Sequence, residues 1–93
     1  MMLSETRRGR LEICIDVLQA VLETQPSKRT WLMAKANTNW PTLLELLEKM
    51  THSGLIVVDP IGISITDLGR DLLSVIRQLQ SYADFAVATV LPS

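Results

Sequence analysis

Residues 27–56 read SKRTWLMAKANTNWPTLLELLEKMTHSGLI, and the order of breaks within them decides the fold. Asn37-Thr38-Asn39 interrupts an otherwise helical pattern with three residues whose side chains bond back to the backbone, so they favour turns and N-caps over helix interior. Trp40-Pro41 opens the next helix, because proline in a first turn loses an N–H that would have had no partner there. Ser53-Gly54 closes it, glycine being the residue that most easily takes the left-handed conformation after a helix end. Two helices of this length joined by a tight turn make a helix-turn-helix.

Within that unit, Ser27 is the expected N-cap of the earlier helix, with Lys28 and Arg29 in its first turn. Leu32, Met33 and Ala36 form its inner side, and Trp31, about 100° away, is expected to be partly exposed. In the helix after Pro41, Leu43, Leu46, Leu47 and Met50 repeat at i, i+3, i+4 and i+7 and mark the buried face. Thr42, Glu45, Glu48, Lys49 and His52 fall on the opposite side, with Leu44 at the flank. His52 sits in a last turn, where a cation suits the helix dipole, and it has no second ligand nearby in sequence to make a metal site.

Before this stretch, Leu11, Cys14, Ile15, Leu18, Val21 and Leu22 form one wide apolar face of a first helix. Ile13, Val17 and Ala20 add a narrower stripe, so this helix is expected to pack against more than one neighbour. Cys14 lies in the wide face and is read as a small buried hydrophobe rather than a reactive thiol. Gln25-Pro26 ends the helix, and residues 1–6 are expected to fray. After it, Leu55 to Val58, the turn Asp59-Pro60-Ile61-Gly62, and Ile63-Ser64-Ile65 make a two-stranded hairpin with a short tip, a wing. Thr66 then caps a long final helix, with Asp67 in its first turn.

That helix carries the second informative pattern. Leu72, Ile76, Leu79, Ala83, Ala86 and Val90 are spaced as a heptad seam, and the flanking Leu73, Val75, Tyr82 and Val87 are apolar too. So much apolar surface exceeds what one short neighbouring helix covers, and it points to a homodimer formed through this helix. The expected class is mainly α (α+β): a winged helix-turn-helix over residues 1–66 and a C-terminal dimerisation helix over 67–93, in one compact unit.

Composition narrows the functions. Hydrophobic residues are 47 % of a 93-residue chain, more than so small a monomer readily hides, which again favours a partner surface. Net charge is −1, so general attraction to nucleic acid is not built into the chain as a whole. One cysteine excludes an internal disulfide. No apolar run is long enough to span a membrane and the first ten residues are polar, so a cytoplasmic protein is expected. No nucleophile–base pair, carboxylate pair, metal cluster or glycine-rich phosphate loop can be assembled, which argues against an enzyme and against any cofactor.

The chain resembles small archaeal winged-helix proteins, described as DNA-binding proteins or transcriptional regulators, that dimerise by a C-terminal coiled-coil helix. The resemblance runs from about Arg8 to Leu79. It is carried by Arg10-Leu11-Glu12-Ile13, Met33-Ala34-Lys35-Ala36-Asn37, Ser53-Gly54-Leu55-Ile56 and Thr66-Asp67-Leu68-Gly69-Arg70, in that order and at that spacing. It implies a dimer that sets its third helix in a DNA major groove. Lys28, Arg29 and Lys35 would then hold phosphates, while Asn39, Thr42, Glu45 and Lys49 face base edges. Such proteins tend to carry basic residues early in the third helix, where this chain has Leu44, Glu45 and Glu48, and its wing tip has none. That departure supports a second reading, a winged-helix scaffold that contacts another protein through Trp31 and Leu44.

Overall fold

The structure, a computed structural model, describes residues 9–90, with side-chain surroundings given for residues 9–85. Helix α1 (Arg10–Glu23) is followed by α2 (Arg29–Lys35), α3 (Trp40–His52), strands β1 (Ile56–Asp59) and β2 (Gly62–Ile65), and helix α4 (Asp67–Val90). This is a winged helix-turn-helix, mainly helical with one antiparallel hairpin.

Local chemistry accounts for the boundaries. Glu12 reaches back to accept from the Gly9 N–H at 2.9 Å and starts α1. Asn39 caps α3, its Oδ1 accepting from the Thr42 N–H at 2.9 Å, with Pro41 in the first turn. Both helices of the central unit end in the same way. Thr38 N–H donates to the Met33 carbonyl and Leu55 N–H to the Met50 carbonyl, with Asn37 at φ 53° and Gly54 at φ 78° in the left-handed region. Thr66 Oγ1 accepts from the Gly69 N–H at 3.0 Å, capping α4, and donates to the Gly54 carbonyl at 2.6 Å, so the cap is tied to the base of the wing.

Helix α1 is the hub, touching α2, β2 and α4, while α3 packs on α2 and β1. Val17, Leu18, Val21, Leu32 and Leu43 are wholly buried, and Leu46, Leu47, Met50, Ile56, Ile63, Ile65 and Leu73 complete the core. Full burial of each such side chain is worth about 1.5–3 kcal/mol, so the regular i, i+3, i+4 run on α3 is what holds the turn unit to the rest. The expected buried face of α3 is the observed one. In α1 the buried group is Val17, Leu18, Ala20 and Val21, drawn from both stripes, whereas Leu11 is 66 % exposed and Leu22 lies at the surface. The wide face is therefore buried only in part, with Leu11 and Leu22 left at the surface.

Ser27 is not the cap of α2. Lys28 holds that position without a side-chain bond, and Ser27 is buried, exchanging backbone bonds of 2.8 and 2.9 Å with Ile63. Together with Gln25 Oε1, which accepts from the Ile65 N–H at 2.9 Å, it occupies the outer edge of β2. The backbones meet closely here, since a Cβ on Gly62 would lie 2.8 Å from the Ser27 carbonyl oxygen. Covering that edge satisfies donors that would otherwise invite another strand.

Candidate nucleic-acid interface

The outer side of α3, the wing and the start of α2 form the face on which a winged helix meets a ligand. Along α3 the exposed side chains fall on two ridges. One runs Trp40, Leu44, Glu48 and on to Thr51 and His52, while the other carries Glu45 and Lys49 toward α1. Arg10 Nη1 bonds Glu45 Oε1 at 2.7 Å and Lys49 Nζ meets Glu45 Oε2 at 3.2 Å. The Arg10 bond first, and Lys49 second, hold the Glu45 carboxyl below the usual carboxylate range.

The four residues expected to face base edges are therefore largely engaged within the chain. Asn39 Oδ1 is spent on its cap, Thr42 is half-buried, and Glu45 and Lys49 neutralise each other with the help of Arg10. Of the expected phosphate contacts, Lys35 lies 3.8 Å from Glu23, whereas Lys28 and Arg29 are exposed and make no ion pair among the described residues. Arg29 borders a shallow hollow of about 280 Å³ between α3 and the wing, lined also by Leu44, Glu48, Thr51, His52 and Val58. The wing tip carries no basic residue, and its one charge is the Asp59 carboxylate. Asp59 Oδ1 accepts from the Ile61 and Gly62 N–H groups at 2.9 and 3.1 Å, leaving the Ile61 side chain 72 % exposed.

Of the expected protein-contact pair, Leu44 is exposed but Trp31 is half-buried and packs on the core. Trp40, which the sequence reading treated only as part of a helix start, is 40 % exposed one turn before Leu44. The i, i+4 spacing of Trp40 and Leu44 was the signal that could have paired them.

On α4, of the residues expected to form a dimer seam, Leu72, Leu79 and Ala83 are exposed and Ile76 is half-buried; the side chains of Ala86 and Val90 lie outside the described residues. The exposed apolar stripe runs Leu68, Leu72, Val75, Leu79 and Tyr82, again with alternating steps of four and three. Its centre is turned roughly 40° from the expected seam at 100° per residue. The cause is that Gly69, Leu73 and partly Ile76 face the domain itself, so the free side of the helix is the one pointing away from α1 and the wing.

A family model described as winged helix-turn-helix matches residues 7–84. The chain belongs to that family. A winged helix-turn-helix architecture is also shared with a solved protein of unknown function from Listeria innocua, at TM-score 0.69 and 20 % identity, covering 84 % of this chain. This winged helix-turn-helix spans 59 % of that protein's length. No curated protein matches the sequence. Among the described residues no three His, Cys, Asp or Glu side chains gather as a metal site, and no helix is long and apolar enough to cross a membrane.

Proposed function

We propose that the protein is a dimeric, DNA-binding regulator of transcription, paired through the exposed stripe of α4, as in the archaeal winged-helix proteins it resembles. The observation that carries this reading is the family match over residues 7–84, joined to a free α3 face. Lys28 and Arg29 are the phosphate contacts, being exposed cations without internal partners among the described residues. Lys35 and Lys49 contribute less, since each must leave a carboxylate to reach DNA. Affinity is accordingly modest and weighted to the backbone rather than to base edges.

Fluorescence anisotropy of a labelled duplex at a series of salt concentrations tests this. Binding should be micromolar at low salt, weaken as salt rises, and lose about one unit of salt slope for each of Lys28→Gln and Arg29→Gln. Absence of binding at low salt, or binding indifferent to salt, refutes it.

The second reading, a scaffold that docks a protein, is favoured by the exposed Trp40–Leu44 ridge where a groove reader would carry polar groups. Under it, Trp40→Ala and Leu44→Lys abolish the partner contact while leaving the dimer intact.

A further inference from the structure

Helix α4 has a second face that the reading above leaves unused. Roughly 150° round the helix from the apolar stripe, Arg70, Ser74, Arg77 and Ser81 stand in one row, at steps of four, three and four. With Leu22 of α1 and the buried Leu73 they line a groove of about 390 Å³, the size of a small-molecule site. Gln78 is the remaining lining residue. No aspartate or glutamate lines it, so it presents two positive charges on a chain whose net charge is −1.

Neither guanidinium pairs with a carboxylate among the described residues. Arg77 is instead held from behind. Its Nη2 donates to Gln19 Oε1, and Gln19 Nε2 donates to Glu23 Oε2 at 3.2 Å, which fixes the Gln19 amide and with it one edge of the guanidinium. A planar cation fixed on one edge keeps its other donors in the fork that suits a carboxylate or phosphate. Beside it Leu22 offers an apolar edge at the surface, backed by the buried Leu73, and three neutral hydrogen-bonding side chains complete the wall.

We infer that this groove binds a small anionic amphiphile, a carboxylate or phosphate head on a short aliphatic chain. The head lies between Arg70 and Arg77 and the chain lies along Leu22, over the buried Leu73. Only α1 and α4 line the groove, so the site is separate from the α3 face, and pairing through the opposite stripe leaves it open. The inference therefore stands or falls apart from DNA binding.

The test is an amide chemical-shift titration of the full chain with octyl phosphate and with octanoate, below their micelle concentrations. Octanol and inorganic phosphate serve as the chain alone and the head alone. Shifts centred on Leu22, Leu73 and residues 70–81 are expected for one or both amphiphiles, with at least about tenfold weaker binding of octanol and phosphate. The relative response to octyl phosphate and octanoate distinguishes the two heads. Arg70→Gln with Arg77→Gln should weaken binding about tenfold or more. Ser74→Trp, which fills the groove and keeps both arginines, should block it as well. All three positions are exposed, and unchanged thermal unfolding verifies that the variants fold. Failure of both amphiphiles to bind, equal binding of octanol, or undiminished binding by the double arginine variant overturns the inference. So does a double variant that loses duplex DNA but not amphiphile, since the arginines would then be nucleic-acid contacts.

Discussion

Replacing Gly69 by alanine should destabilise the protein, although alanine is the better helix former. On helix propensity alone the change would stabilise α4 by roughly 0.5–1 kcal/mol. A Cβ at this position, however, falls 2.7 Å from Ile65 Cγ1 and collides with the Leu55 carbonyl oxygen. The isoleucine can shift; the carbonyl cannot easily do so, because it accepts from the Thr66 N–H and Thr66 Oγ1, each at 3.0 Å. Relief therefore requires the first turn of α4 to lift from the wing base, straining the Thr66 bonds that join cap and hairpin. Overpacking costs about 1–3 kcal/mol, and weakening one such hydrogen bond about 1 kcal/mol. Set against the propensity gain, the net loss is about 2 kcal/mol, or a fall in Tm of roughly 8–16 °C for a domain of this size. Thermal unfolding followed by circular dichroism, at equal protein concentration because the proposed pairing would raise Tm, measures it. Gly9→Ala is the control, for its Cβ meets nothing nearer than Glu12 Oε1 at 3.9 Å; as the N-cap of α1 it should lose only about 0.5–1 kcal/mol, from capping alone. An unchanged or raised Tm for Gly69→Ala would refute the close approach of α4 to the wing.

Three further outcomes are expected. Val75→Glu with Leu79→Glu, both on the exposed stripe of α4, should leave the fold intact and convert the protein to a monomer in sedimentation; a dimer that persists rejects the stripe as the pairing surface. Burial pushes the Cys14 thiol above its ordinary pKa, so near pH 8 its reaction with a disulfide reagent should be about tenfold or more slower folded than unfolded, and equal rates would contradict its placement against the core. Glu45 is held low by Arg10 and then Lys49, so its contribution to stability is present above the ordinary carboxylate range and is lost as pH falls through the lowered value. Glu45→Gln should therefore flatten the acid limb of a Tm-against-pH profile, and an identical limb would show that the three charges are not coupled.

The functional face shows why local sequence reasoning stops where it does. The buried run Leu43, Leu46, Leu47 and Met50 was legible because helix periodicity and burial obey the same 3.6-residue repeat. Gly54 and Thr66 were legible at helix ends because that chemistry acts within a few positions, whereas Asn39, read as part of the turn and as a base-edge contact, caps α3. Ser27 was not legible, since its serine suits an N-cap equally well and its real partner, Ile63, is 36 positions away. Glu45 was expected to face base edges, and only the approach of Arg10 from another helix shows that it is engaged within the chain.

The amino-acid sequence by itself determined the order of elements, both ends of α3 and the turn before it, because each depends on neighbours within one helical turn or one hairpin. The tertiary structure alone decided which charges remain free, which side of the last helix is left uncovered, and that Trp40 is more exposed than the half-buried Trp31. Those outcomes depend on how α1, α3 and α4 lie against one another, and crossing geometry follows from the summed shape of many side chains rather than from any local pattern.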